Sequence, residues 1–176
     1  TVLSAVVTIP SLAPFSTLAG TGLGGAARFN IHAQRNKGVT VVALDGNLRM
    51  AGDALAARLL GNNATLTAKA NFAGADIPYS TLSLRGAALS ADAKGTLRDN
   101  TLNYGAQIAI SNLARLAATL NGDAKLEASL SGPSTAVDLK ASGSANIATR
   151  GFAPQSVGFS LSASGLPDPS SAQVRI

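Results

Sequence analysis

Cysteine and tryptophan are absent from this chain, histidine occurs once, and aromatic residues make up 4% of its 176 positions. Without Cys there is no disulfide framework, no zinc–thiolate site, no thiol nucleophile and no redox pair. A single His removes multi-histidine metal sites. Charge is also scarce, with Asp, Glu, Lys and Arg at 13% against about 25% in ordinary globular chains. The net charge of +5 comes from basic residues scattered singly from Arg28 to Arg175. Nucleic-acid recognition calls instead for a basic patch or stripe interleaved with aromatics, so no nucleic-acid partner is expected. No apolar run approaches the ~18 residues of a membrane-spanning helix, and no charged segment precedes a short apolar stretch as in a secretory signal. The chain opens at Thr1 and closes in a strand-like stretch, Ala172 to Ile176. It reads as one undivided segment, 1–176, of a longer protein whose anchor or targeting segment lies elsewhere.

What is present is a chain that buries surface with small side chains. Hydrophobic residues reach 46%, with 34 Ala and 18 Gly. Low charge and a mean hydropathy of +0.24 exclude an intrinsically disordered chain.

Period-two alternation dominates, and it places successive side chains on opposite faces of a strand. Ala124, Leu126, Ala128 and Leu130 alternate with Lys125, Glu127 and Ser129. Val137, Leu139, Ala141, Gly143, Ala145 and Ile147 alternate with Asp138, Lys140, Ser142, Ser144 and Asn146. Leu102, Tyr104, Ala106, Ile108 and Ile110 face away from Thr101, Asn103 and Gln107. Val157, Phe159, Leu161 and Ala163 repeat the pattern, as do Ala27, Phe29, Ile31 and Ala33. Strands apolar on one face and wet on the other are the antiparallel habit. The fold class expected is all-β, a long antiparallel sheet with one or two short helical turns. Turn chemistry marks breaks at Asp99-Asn100, Gly122-Asp123, Gly132-Pro133 and Gly165 to Pro169. Asp45-Gly46 is either a two-residue hairpin turn or a bulge in one long strand. Asp53–Leu60 and Asn112–Leu120 read as short helices, the first with Asp53 as cap and Gly61 as stop. Each precedes a strand, and a weaker echo at Phe15 to Gly20 precedes another, which makes a degenerate repeat.

Candidate chemistry is thin. Gly20 to Gly25 satisfies G-x-G-x-x-G, with Asp45 about twenty residues on. A dinucleotide site needs a helix after that turn, whereas Ala26 to Gln34 alternates with period two, so the motif reads as a glycine-rich turn before a strand. His32 lies on a polar face without the partners a triad role requires. Asp92, Asp99, Asp123, Glu127 and Asp138 fall on polar faces or in turns, as solubilising residues do. Asn63-Ala64-Thr65 fits the glycosylation pattern without a context that uses it. No catalytic residue, no metal site and no cofactor is expected, and the chain reads as no enzyme.

The apolar face itself is the remaining feature. It is rich in Ala and Gly, and small side chains fill little of the ~10 Å between packed sheets. Space lined by aliphatic groups suits an acyl chain, whose burial is worth ~0.8 kcal/mol per CH₂. The expected lining is Tyr104, Ile108, Ile110, Leu126, Leu130, Val137, Leu139, Ile147, Val157, Phe159 and Leu161.

Four stretches carry a family resemblance: Pro10 to Gly25 (PSLAPFSTLAGTGLGG), Leu97 to Leu102 (LRDNTL), Ser111 to Ala117 (SNLARLA) and Gly122 to Gly132 (GDAKLEASLSG). They resemble the repetitive periplasmic region of the TamB family, within the AsmA-like group of bridge-shaped lipid-transfer proteins. The resemblance implies an elongated sheet curled into an open "β-taco" with an apolar interior groove. It implies a periplasmic location, with the full protein anchored in the inner membrane of a Gram-negative bacterium, and contact with the outer-membrane barrel TamA. The function implied is non-enzymatic shielding of phospholipid acyl chains in transit between the two membranes, as part of the translocation and assembly module. Two alternatives stand beside it. One is a chaperone or assembly module for unfolded outer-membrane β-barrel and autotransporter strands, held by strand addition. The other is a structural repeat segment of a surface adhesin with a dry core.

Overall fold

A computed structural model of the chain describes residues 1–15, 22–149, 152–167 and 171–175. Its eleven strands are β1 Val2–Ile9, β2 Gly24–Asn36, β3 Val39–Ala51, β4 Ala64–Ala73, β5 Asp76–Arg85, β6 Leu89–Arg98, β7 Thr101–Ile110, β8 Leu120–Pro133, β9 Val137–Thr149, β10 Gln155–Leu166 and β11 Ser171–Arg175. They form one sheet in chain order, each strand antiparallel to the next. Among the described residues the sheet does not close, and β1 and β11 are its outermost strands. The expected all-β antiparallel fold is the one observed.

Local chemistry sets the turns. Lys37 and Gly38 both take positive φ, as do Asp99 and Asn100, the signature of the type I′ hairpin turn that matches strand twist. Asp45-Gly46 makes neither a hairpin nor a bulge. Asn30 pairs with Asp45 and Phe29 with Gly46 in unbroken register, so β3 is one strand. The breaks expected at Gly122-Asp123 and Gly132-Pro133 lie inside β8. Gly122 keeps its place in the ladder at φ +118. A Cβ there would collide with the Asn146 carbonyl, just as one on Gly25 would collide with that of Arg49. The turn after β8 falls instead between Pro133 and Val137, where Ala136 N–H donates to the Pro133 carbonyl.

Because the sheet is a simple meander, the connections after odd-numbered strands gather along one rim as far as β9. This is where the helical turns sit. A 3₁₀ turn, Ala13–Phe15, follows β1, and residues 16–21, which include the start of the glycine motif, lie outside the described residues. Helix α1, Leu55–Leu60, follows β3. Its N-cap is Ala54 with no side-chain cap, so Asp53 does not take that role, while Gly61 closes it at φ 68 with its N–H on the Ala57 carbonyl. The second expected helix shrinks to a 3₁₀ turn, Leu113–Arg115, where the Asn112 side chain accepts from Ala114 N–H at 2.9 Å. Leu120 already begins β8, which leaves too few residues for a nucleated helix. Backbone hydrogen bonds stitch the rim: Ala87 N–H to Leu60, Ala88 N–H to Leu59 and Ser111 N–H to Ala88.

The core follows from this arrangement. Leu12, Leu23, Ala54, Ala57 and Leu60 from the rim pack against Ala27, Met50 and Ala64 at the rim ends of β2, β3 and β4. Away from the rim, the strands make their main contacts with their sheet neighbours. The chain exposes 11017 Å², whereas a compact monomer of 17.5 kDa would expose about 7,900 Å². That excess is the surface signature of a single open layer.

Candidate functional site

The site is built by register. Reading one residue per strand across the sheet gives Ala5, Ile31, Leu44, Ala68, Leu82, Ala93, Ala106, Ala128, Ala141, Leu161 and Val174, each opposite the next. Every member is aliphatic, from one outermost strand to the other. Side chains two residues apart share a face, so each strand adds further apolar rows beside this ladder.

All the expected lining residues occupy that face. Tyr104, Leu130 and Leu139 stand in one row, with Leu130 opposite both others. Ile108, Leu126 and Phe159 form a second, completed by Gly143. Ile110 and Val157 share a third with Ala124 and Ala145. Leu161 is in the central ladder, Ile147 is opposite Gly122 near the rim, and Val137 pairs with Leu166 at the far end of β9. Val137 is buried, whereas Leu130, Val157 and Phe159 are exposed at 38%, 43% and 43%. The other seven, Tyr104, Ile108, Ile110, Leu126, Leu139, Ile147 and Leu161, are half-buried.

Sequence reasoning missed how the aromatics sit. Phe29 is opposite Gly46, Tyr104 opposite Gly95 and Phe159 opposite Gly143. In each pair the ring occupies the space where a glycine Cβ would be. The aromatic thus covers backbone that glycine leaves bare and smooths the face. Tyr104 reaches across Gly95, and the Ser80 hydroxyl lies 3.2 Å from its phenol oxygen and 3.0 Å from the Gly95 carbonyl, which satisfies the polar end of an otherwise apolar row. Only the strand register reveals these pairs.

The opposite face is polar and holds a second unforeseen feature. A furrow of about 770 Å³ crosses β5 to β11 at mid-strand. Thr81, Lys94 and Lys140 border it on one side and Asp92, Gln107 and Glu127 on the other, with the central ladder between. Leu84, Ile108, Leu126, Tyr104, Leu130 and Leu139, the next residues on the apolar face, do not border it. The residues on either side of the ladder, whose side chains lie on the polar face, make the walls. Of the expected lining residues, Leu161 alone borders it. Register sorts the charge, with Lys69, Thr81 and Lys94 in one row and Asp92, Gln107 and Glu127 in the next. The Arg85 guanidinium contacts both carboxylate oxygens of Asp92 at 2.8 Å. It holds that carboxyl below its ordinary value, with help from a Ser83 hydrogen bond.

His32 shares a 3.0 Å hydrogen bond between Nδ1 and the Ser4 hydroxyl. Among the described residues, no group of three His, Cys, Asp or Glu side chains converges as metal ligands, and no helix is long and apolar enough to cross a membrane. Searches against protein-family models, curated proteins and solved structures match nothing to this chain.

Proposed function

We propose that this chain is a section of an apolar trough that holds phospholipid acyl chains without catalysing a reaction. The observation that carries the reading is the unbroken aliphatic ladder across the whole sheet, beside which Leu130, Val157 and Phe159 are exposed. An exposed apolar face of this extent marks a place where another apolar surface belongs. Small residues predominate at mid-sheet, where Ala93, Ala106, Ala128 and Ala141 follow one another. They leave room above the backbone for a chain to lie across the strands. A sixteen-carbon acyl chain buried there represents on the order of 12 kcal/mol. That attraction is spread over many similar positions, which favours sliding over trapping.

The sequence resemblance to the TamB family points the same way. It supplies the wider proposal of a periplasmic bridge, anchored in the inner membrane, that meets the outer-membrane barrel TamA and carries phospholipid between the membranes. Lys125, Glu127, Asp138 and Lys140, all exposed on the opposite face, would keep such a bridge in solution.

Leu139→Arg tests the reading, because it sets a charge among Leu130, Ala163 and their neighbours. Native mass spectrometry after incubation with phospholipid vesicles is expected to show bound lipid on the parent chain and at least ten-fold less on the variant. Lys140→Ala is expected to load as the parent does. Equal loading of all three proteins, or of none, contradicts the proposal.

A further inference from the structure

Five charged side chains border the furrow on the polar face, and register fixes where each stands. Along one wall Lys94 is followed by Gly105, Ser129, Lys140, Ser162 and Gln173. Along the other, Asp92 is followed by Gln107, Glu127, Ser142, Ser160 and Arg175. Asp92 is taken up by Arg85 in the one ion pair among the described residues. Lys94, Glu127, Lys140 and Arg175 are exposed and stand outside that pair. Neighbouring strands lie about 4.8 Å apart. Counted from Lys94 on β6, Glu127 on β8 is therefore about 9.6 Å along the furrow, Lys140 on β9 about 14.4 Å and Arg175 on β11 about 24 Å. An extended peptide rises about 3.4 Å per residue and sends successive side chains to opposite sides. The third, fourth and seventh residues beyond one that faces Lys94 fall at about 10.2, 13.6 and 23.8 Å. The odd steps turn to the wall of Glu127 and Arg175, and the even step turns to the wall of Lys140. All four charges outside the ion pair thus agree with one extended chain in both position and side. Asp92, the charge out of step, is the one that Arg85 already satisfies.

We propose that the furrow binds an extended polypeptide segment of mixed charge, laid across the strands. An acidic residue of that segment faces Lys94. Counted toward β11, a basic residue three places on faces Glu127, and acidic residues four and seven places on face Lys140 and Arg175. Ser129 and Ser162 beside the lysines, and Ser142 and Ser160 on the other wall, offer hydroxyls to the uncharged residues between. From β5 to β11 the furrow spans about 29 Å, room for about eight extended residues. None of its lining side chains is aromatic, so it lacks the stacking platform that holds the bases of a single-stranded nucleic acid. Walls of opposite charge fit a peptide that carries both signs better than a polyanion. The site lies on the face turned away from the aliphatic ladder and stands whatever that ladder carries.

A fluorescent peptide, Glu-Ser-Thr-Lys-Glu-Ser-Thr-Glu with blocked ends, is titrated with the chain at low ionic strength and followed by anisotropy. Saturable binding is expected. Exchanging the peptide's lysine with its first glutamate keeps composition and net charge but mismatches the furrow in either direction, and is expected to weaken binding at least ten-fold. This comparison needs no variant of the chain. Lys140→Glu is expected to weaken binding of the matched peptide at least ten-fold. Glu127→Lys separates register from general attraction. It makes the furrow more basic, which by itself would tighten binding of this acidic peptide, whereas the proposed register predicts at least a ten-fold loss. A peptide with glutamate in place of the lysine is expected to recover binding to Glu127→Lys. Both positions are exposed, and circular dichroism of the two variants is expected to match the parent. No binding by the parent chain, equal binding of the exchanged peptide, tighter binding of the matched peptide by Glu127→Lys, or polyglutamate held as tightly as the matched peptide would overturn the proposal.

Discussion

At the residue scale, the pairing of aromatic with glycine is the most demanding feature of the apolar face. Gly46 is buried, and a Cβ added there would come within 2.6 Å of the Phe29 ring and 3.4 Å of the Leu66 carbonyl. Gly46→Ala is therefore expected to cost about 1–3 kcal/mol by overpacking. In combination with Phe29→Leu the loss should be less than additive, because the smaller side chain vacates the contested space. Denaturant unfolding of the two single variants and the double variant checks this. Asp92 gives a second residue-scale test. Its folded carboxyl lies below its ordinary value because of Arg85. The ionised form thus favours the fold above the unfolded value, and that contribution disappears as pH falls through the lower folded value. Asp92→Asn should melt below the parent at neutral pH and converge with it under strong acid; a gap that persists in acid would assign the loss to something other than the charge. The alternation that placed Tyr104, Leu126 and Leu139 on one face is legible in the sequence, because side-chain direction in a strand depends on parity alone. The aromatic–glycine pairs and the Ser80–Tyr104 contact are not, because they join residues on different strands through a register that parity leaves open.

At the element scale, regularity decided what could be read. Long strands with strict alternation, such as β8 and β9, are evident. β1 is obscured because Val2 and Val6 are apolar on the polar face. β5 is obscured because its pairing shifts around Pro78, between Ile77 and Ser80 on one side and opposite Asn71 and Ala73 on the other. Glycine misled at Gly122 and Gly132, where backbone freedom serves a distorted strand and not a turn. The rim also tests at this scale. Leu60 is 8% exposed in α1 and belongs to the cluster with Leu12, Met50 and Ala64. Leu60→Ala should cost about 2–5 kcal/mol, with the largest loss of amide protection in the connections after β1 and β3. Hydrogen exchange spread evenly over all strands would contradict a main core cluster at the rim.

At the scale of the whole molecule, the account rests on one imbalance. A chain of this size exposes roughly 40% more surface than a compact monomer would, and an aliphatic ladder runs the full width of that surface. The low aromatic content, the abundance of alanine and the scarcity of charge all fit the proposal that the apolar face is left for another molecule. The furrow on the reverse face provides the contrast, since it crosses β5 to β11 between walls that carry charge. The most direct measurement places a photo-reactive residue at Leu126 or Leu139 on one face and at Lys125 or Lys140 on the other, then exposes each protein to phospholipid vesicles before illumination. The account predicts phospholipid adducts at Leu126 and Leu139 with little or none at Lys125 and Lys140. Equal labelling of both faces, or labelling confined to the lysine positions, would contradict it.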